Sequence, residues 1–154
     1  MTDDLGLPIE APVLKIKKLR ENAIIPRYQT EGAACFDLHA LIGGRIPPHQ
    51  TMTIRTGLAV EIPPGWVMKI YPRSGNAFKH GITLINSTGI VDSDYRGELQ
   101  IGLRNDGDGM FLFYEGDRIA QAMLERAEQV VFEEVEVLSA TERGAGGFGS
   151  TGSR

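Results

Sequence analysis

The feature that most limits what this chain can fold into is a run of apolar residues at alternate positions. Met52, Ile54, Leu58, Val60 and Ile62 are apolar, and Thr53, Arg55 and Glu61 fall between them. Successive side chains of an extended strand point to opposite faces, so a period of two marks a strand with one face in a core. The period returns in Trp66, Met68 and Ile70 after the turn Pro63-Pro64-Gly65, and in Leu99, Ile101 and Leu103 after Arg96-Gly97. Val131, Val135 and Val137 form one more set near the C-terminus, and strand-like sequence begins at Val13. Turn residues punctuate the runs at Gly43-Gly44, Pro47-Pro48, Asn105-Asp106-Gly107 and Gly116-Asp117. Many short strands with regular turns predict an all-β antiparallel sandwich or barrel. One short helix is expected over Gly75 to His80, capped by Ser74 and ended by Gly81. Ala122 to Gln129 has helical propensity, but its β-rich neighbours favour strand or turn.

At 154 residues with 42% apolar content, the chain can build one core without disulfides or a structural metal. The net charge of −4 weighs against a general nucleic-acid binder, though a local arginine cluster can still hold a small anion. Cys35 stands alone, so neither an internal disulfide nor a cysteine-based zinc site is expected, and a reducing cytoplasm is the simplest compartment. Residues 1–11 read as a flexible leader without the basic start and apolar run of a signal peptide. No stretch approaches the roughly 20 apolar residues of a membrane helix. The expected partners are therefore neither nucleic acid nor membrane. His39, His49 and His80 show no ligand spacing.

Four places could carry chemistry. Pro72-Arg73-Ser74-Gly75 ends a strand and opens the helix, where N–H groups, a forked cation and a hydroxyl suit phosphate; it is equally a capped turn with a surface arginine. Asn86 to Glu98 (NSTGIVDSDYRGE) is the densest polar segment, either the solvated tip of a β-hairpin or an exposed backbone edge for a base, with an aspartate as general base for water. Asp37 lies in an otherwise apolar run and needs an arginine partner or a nearby cation to be tolerated there. Ser139 to Arg154 has five glycines and one aromatic, Phe148. It is a frayed tail or a lid that closes over a phosphate ester.

The order and spacing of five segments resemble the trimeric dUTP pyrophosphatase (dUTPase) family. They are Gly32-Ala33-Ala34-Cys35-Phe36-Asp37-Leu38, then Pro72-Arg73-Ser74-Gly75-Asn76-Ala77, then Gly89-Ile90-Val91-Asp92-Ser93-Asp94-Tyr95-Arg96-Gly97-Glu98, then Gly116-Asp117-Arg118-Ile119-Ala120-Gln121, and last Arg143-Gly144-Ala145-Gly146-Gly147-Phe148-Gly149-Ser150-Thr151-Gly152. The likeness runs from about Ile16 to Gly152.

The resemblance implies an antiparallel jelly-roll-like fold, the β-clip, with the β domain over residues 12–138 and a lid over 139–154 that reaches a neighbouring active site. It implies a homotrimer with active sites at subunit interfaces. The implied activity is hydrolysis of dUTP to dUMP and diphosphate, which supplies dUMP for thymidylate synthesis and keeps uracil out of DNA. Asp92 would hold the attacking water. Tyr95 would pack under the deoxyribose and exclude a 2′-OH. Asn86 and the backbone near Ile90, Val91 and Gln100 would read the uracil edge. Arg73, Ser74, Gly75 and Gln121 would grip the triphosphate. Arg143, Phe148, Gly149, Ser150 and Thr151 would come from a third subunit, with Phe148 over the uracil. Mg²⁺ would be held by phosphates and water, with Asp37 and Gln121 in the outer shell and no direct protein ligand, in keeping with the habits of that ion.

Two residues depart from the family's usual pattern. Asn76 stands where Leu commonly follows the glycine, which bears on packing of the short helix, and Glu115 puts an acid near the phosphate channel, with its side chain expected to point away. Two other readings stay open: a dCTP deaminase of the same fold, and an inactive nucleotide-binding relative.

Overall fold

A computed structural model of the chain describes residues 11–148 and residue 150. The expected leader therefore lies almost wholly outside the described residues, as do Gly149 and Thr151. Ten strands and one helix follow in order: β1 (Lys15–Lys18), β2 (Phe36–His39), β3 (Gly44–Ile46), β4 (Thr51–Glu61), β5 (Trp66–Tyr71), α1 (Ser74–His80), β6 (Ile82–Leu84), β7 (Gly89–Val91), β8 (Glu98–Asn105), β9 (Phe111–Phe113) and β10 (Arg118–Arg126). One sheet has the order β1-β4-β8-β6, a second β2-β10-β5-β7, and β3 pairs with β9; every pairing is antiparallel.

The period-two pattern does what it predicts. Along β8, Leu99, Ile101, Leu103 and Asn105 are buried while Gln100 and Arg104 are exposed. Met68 and Ile70 of β5 and Ala120 and Ala122 of β10 meet them in one core with Leu38, Ile54 and Val60. Asn105 is fully buried and fully used. Its amide donates to the carbonyls of Ile46 and Gly109 at 2.9 and 2.8 Å, and its oxygen accepts from Gly107 N–H at 3.0 Å. A buried amide without these partners would cost free energy, so the side chain fixes the turn after β8.

Long β4 departs from simple alternation. Arg55 faces Gln100 and Ala59 faces Glu98, so Thr56, Gly57 and Leu58 lie opposite Leu99 alone. This bulge turns on Gly57, whose φ of 70° is left-handed and costs a glycine nothing. Past it, Leu58 packs in a second small cluster with Ala23 and Leu41. Met52, expected inside, is 38% exposed.

Three further expectations are corrected. The helix starts at Ser74, so its cap residue is Arg73, in extended backbone and without a side-chain cap bond. Gly81 ends it as expected, at φ 67°, with its N–H on Ala77 and Asn76 carbonyls. The segment Asn86 to Glu98 is not a hairpin: β7 pairs with β5 and β8 pairs with β4 and β6, so the polar stretch crosses from one sheet to the other. Val131, Val135 and Val137 form no strand, because no strand edge among the described residues receives them; they are 96, 49 and 83% exposed. Ala122 to Arg126, by contrast, is strand, as its neighbours suggest.

Candidate active site

The crossing between sheets makes a pocket of about 220 Å³. Its walls are Ile70 of β5, Ile90 and Val91 of β7, Asp92 and Tyr95 of the connecting turn, and Glu98, Leu99 and Gln100 of β8. β7 pairs at Gly89 with Ile70, so one wall is apolar and rigid. The turn closes with Tyr95 N–H donating to the Asp92 carbonyl at 3.2 Å. Arg96 locks it from the far side, donating to the Ser93 and Tyr95 carbonyls at 2.7 and 3.0 Å. Tyr95 folds back so that its hydroxyl donates to the Glu98 carbonyl at 3.0 Å. Gly97 lies directly beneath that ring, and a Cβ there would overlap the Tyr95 hydroxyl. Asp92 is exposed, and its carboxylate has no hydrogen-bond partner among the described residues. An apolar slot with one free carboxylate and one aromatic face can take a flat polar ring and activate water beside it.

A second group assembles on β2, β10 and the start of α1. Asp37 is 7% exposed. Its Oδ1 accepts from Arg73 Nε at 2.9 Å and its Oδ2 from Arg118 Nη1 at 3.3 Å. This is the arginine partnership that a buried carboxylate demands, made twice over. Arg73 also reaches the Arg118 carbonyl at 3.3 Å, and Asn76 reaches the same carbonyl at 3.4 Å, which gives this unusual residue a packing role. Gln121, paired with Asp37 across the strands, donates to the Pro72 carbonyl at 3.0 Å. Ser74 and Gly75 are exposed at the helix start, and open space surrounds Gly75. The result is a cationic ledge over a neutralised acid, suited to an anion. Glu115 is exposed.

Among the described residues, the tail joins neither group within the chain. Arg143 donates to the Gly146 carbonyl at 2.8 Å, Phe148 is fully exposed, and Ser150 N–H bonds Gly147. Asn86 is exposed and does not line the pocket, whereas Ile90, Val91, Asp92, Tyr95 and Gln100 all do.

Glu98 and Arg118 stand in the segments that carry the resemblance, but sequence reasoning gave neither a role in the site. The Glu98 side chain is 11% exposed. Its Oε1 accepts from Gly57 N–H at 2.8 Å and its Oε2 from Arg55 Nε at 2.9 Å. Burial works to raise its pKa, but the Arg55 guanidinium and the Gly57 N–H outweigh burial and hold it below the usual carboxylate value. Nothing in the local sequence marks this, because its partners sit more than forty positions earlier. Arg118 was readable only through the demand that Asp37 makes. His39, opposite Arg118, has a buried Nδ1 without a partner among the described residues, and burial pushes its pKa down. Among the described residues no group of three His, Cys, Asp or Glu converges as a metal site, and no helix is long and apolar enough to cross a membrane.

Comparison with known proteins gives one consistent answer. The dUTPase family model matches residues 21–152. The deoxyuridine 5′-triphosphate nucleotidohydrolase of Nautilia profundicola is 54% identical over 139 residues, covering 90% of this chain and 98% of that protein. The protein of the same name from Treponema denticola is 53% identical over 137 residues, covering 88% and 95%. Among solved structures, a mutant dUTPase of Staphylococcus bacteriophage 80alpha with dUpNHpp superposes with a TM-score of 0.84 at 28% identity, covering 91% of this chain and 98% of that one.

Proposed function

The chain belongs to the dUTPase family, and from that membership we propose how its residues divide the work. The reaction is that of a dUTP diphosphatase: dUTP is hydrolysed to dUMP and diphosphate. The observation that carries the assignment of roles is the 220 Å³ pocket, which has Asp92 free at its edge and Tyr95 anchored across it.

Uracil enters between Ile90, Val91 and Gln100, where backbone groups and the glutamine amide read its polar edge. Deoxyribose lies on Tyr95, and a 2′-OH would meet the ring. Asp92 orients a water against the α-phosphorus. As the new P–O bond forms, Asp92 takes the water's proton, the bond to the bridging oxygen breaks, and diphosphate leaves. A positioned water and a correctly placed base supply most of what such a displacement needs from the protein. Asn86, exposed beside β7, reaches the base only once a ligand or a neighbouring subunit orders it there.

The cationic ledge of Arg73, Ser74, Gly75 and Gln121 binds the triphosphate of a nucleotide held by another subunit's pocket. Arg73 spends its Nε on Asp37, so its fork is held in place before substrate arrives. Mg²⁺ would be held by phosphate oxygens and water, with Asp37 and Gln121 in its outer shell. When bound, it neutralises charge on the phosphates. The tail closes with Arg143, Phe148 and Ser150 over a neighbour's site, together with Gly149 and Thr151. Sites shared in this way make the working unit a homotrimer.

Pyrophosphate release with Mg²⁺ from dUTP, dTTP, dCTP and UTP in parallel tests the reading. Release is expected from dUTP alone. Ammonia from dCTP would replace it with a deaminase. The variant Asp92→Asn should lose a factor of about 10²–10⁴ in kcat while still binding dUTP; near-normal turnover would remove Asp92 from the base role.

A further inference from the structure

The pocket wall contains a carboxylate that the mechanism does not use. Glu98 lines the pocket, but both of its oxygens are engaged on β4, by Gly57 N–H and by the Arg55 guanidinium, whose Nη2 also lies 2.8 Å from Oε2. The geometry has a local cause. The bulge at Thr56 to Leu58 interrupts the β4–β8 ladder where β8 begins, and the backbone N–H of Gly57 is left without a strand partner. Two side chains replace the lost ladder. Thr56 donates its hydroxyl to the Leu99 carbonyl at 2.8 Å, and Glu98 takes the Gly57 N–H. The same residue that is clamped through its side chain offers its main-chain carbonyl to the Tyr95 hydroxyl.

We propose that Arg55 and Glu98 are positioning residues for sugar discrimination: by clamping the first residue of β8 to the β4 bulge, they fix the carbonyl that anchors Tyr95, and so set how strictly the pocket refuses a ribose 2′-OH. This rests on the reading of Tyr95 as the residue under the sugar. A ring held at its hydroxyl and backed by Gly97 cannot retreat from one added oxygen. A ring whose anchor wanders can. Deoxyribose needs no such retreat, so the clamp bears on UTP more than on dUTP.

The test is kcat/KM for dUTP and for UTP in full-length Arg55→Ala, Glu98→Ala, the double variant, Glu98→Gln, Tyr95→Phe and Tyr95→Ala. The dUTP/UTP ratio should fall about tenfold in each alanine variant of the clamp, a change worth about 1.4 kcal/mol. The fall should come chiefly from a lower KM for UTP, with kcat for dUTP little changed. The double variant should be no worse than either single one, because both remove one interaction. Glu98→Gln keeps an oxygen for the Gly57 N–H but turns an NH₂ toward the Arg55 guanidinium, so its ratio should fall with those of the alanine variants. Tyr95→Phe lacks only the anchored hydroxyl and should reproduce the fall, so the inference stays testable if the alanine variants fail to fold. A folded Tyr95→Phe with full discrimination overturns it. A wild-type ratio in the Arg55 and Glu98 variants, beside a collapsed ratio in Tyr95→Ala, overturns it while leaving the Tyr95 reading intact. An unmoved ratio in Tyr95→Ala brings down both.

Discussion

At the scale of single residues, the ion pairs that matter are those that burial forces. Asp37 and Glu98 are the two carboxylates tucked under the candidate site, and each is satisfied by arginine rather than by solvent. Glu98 also has a pH signature. Its folded pKa lies below the ordinary value of about 4.3, so folding favours the ionised form. Its contribution is full above that unfolded value and is lost as pH falls through the lower folded pKa. Urea unfolding should therefore show wild type more stable than Glu98→Gln near neutral pH, with the gap closing below about pH 4; a gap constant down to pH 3 would mean that the charge contributes nothing. The need of Asp37 for an arginine was legible in the sequence, since an acid in an apolar run has few alternatives. The tie between Glu98 and Arg55 was not, because it exists only where a bulge leaves one N–H free.

Elements carry the same lesson. Alternation located β4, β5 and β8 closely, because a half-buried strand must repeat every second residue. It was silent about the bulge, which changes the count without changing the residue types. It also misjudged Asn86 to Glu98, because two apolar runs around a polar loop look alike whether they pair with each other or with separate strands. Which sheet each joins is decided by the whole core, and the pocket exists because they part. Ser74 failed as a cap for a related reason: Asp37 holds the Arg73 side chain, and the helix begins one residue earlier than the hydroxyl suggests. The bulge makes its own prediction. In Gly57→Ala, the new Cβ would sit 2.7 Å from Leu41 Cδ1 and 2.9 Å from Ala23 Cβ, at a φ that L residues resist. The left-handed backbone costs about 1–2 kcal/mol and the crowding about 1–3 more. Denaturant midpoints should fall accordingly, and an unchanged midpoint would show that the bulge relaxes freely.

For the whole molecule, what a single chain leaves unfinished is as informative as what it completes. Beyond β10, residues 127–140 form no strand, yet Val131, Phe132, Val137 and Leu138 are apolar and at least 82% exposed. Phe148 is fully exposed on a glycine-rich tail whose bonds, among the described residues, are local turns. A monomer gains nothing from such a surface, and exposed apolar segments of this kind mark contact sites. Strand β1 meanwhile lies at the edge of its sheet, unpaired on one side among the described residues, with Lys15, Lys17 and Lys18 along it. On the proposed reading, the apolar arm serves assembly and the glycine-rich tail serves closure. Deleting Gly144 to Arg154 should leave a folded particle with the mass of three chains by light scattering, while turnover of dUTP falls by about 10²-fold or more, as expected when a site loses its closing lid. Replacing Val131, Val135 and Val137 together with serine should instead lower the mass. If the tail deletion kept full turnover, Arg143 and Phe148 would leave the site; if the serine variant stayed trimeric, the arm would be surface and the subunits would hold together elsewhere.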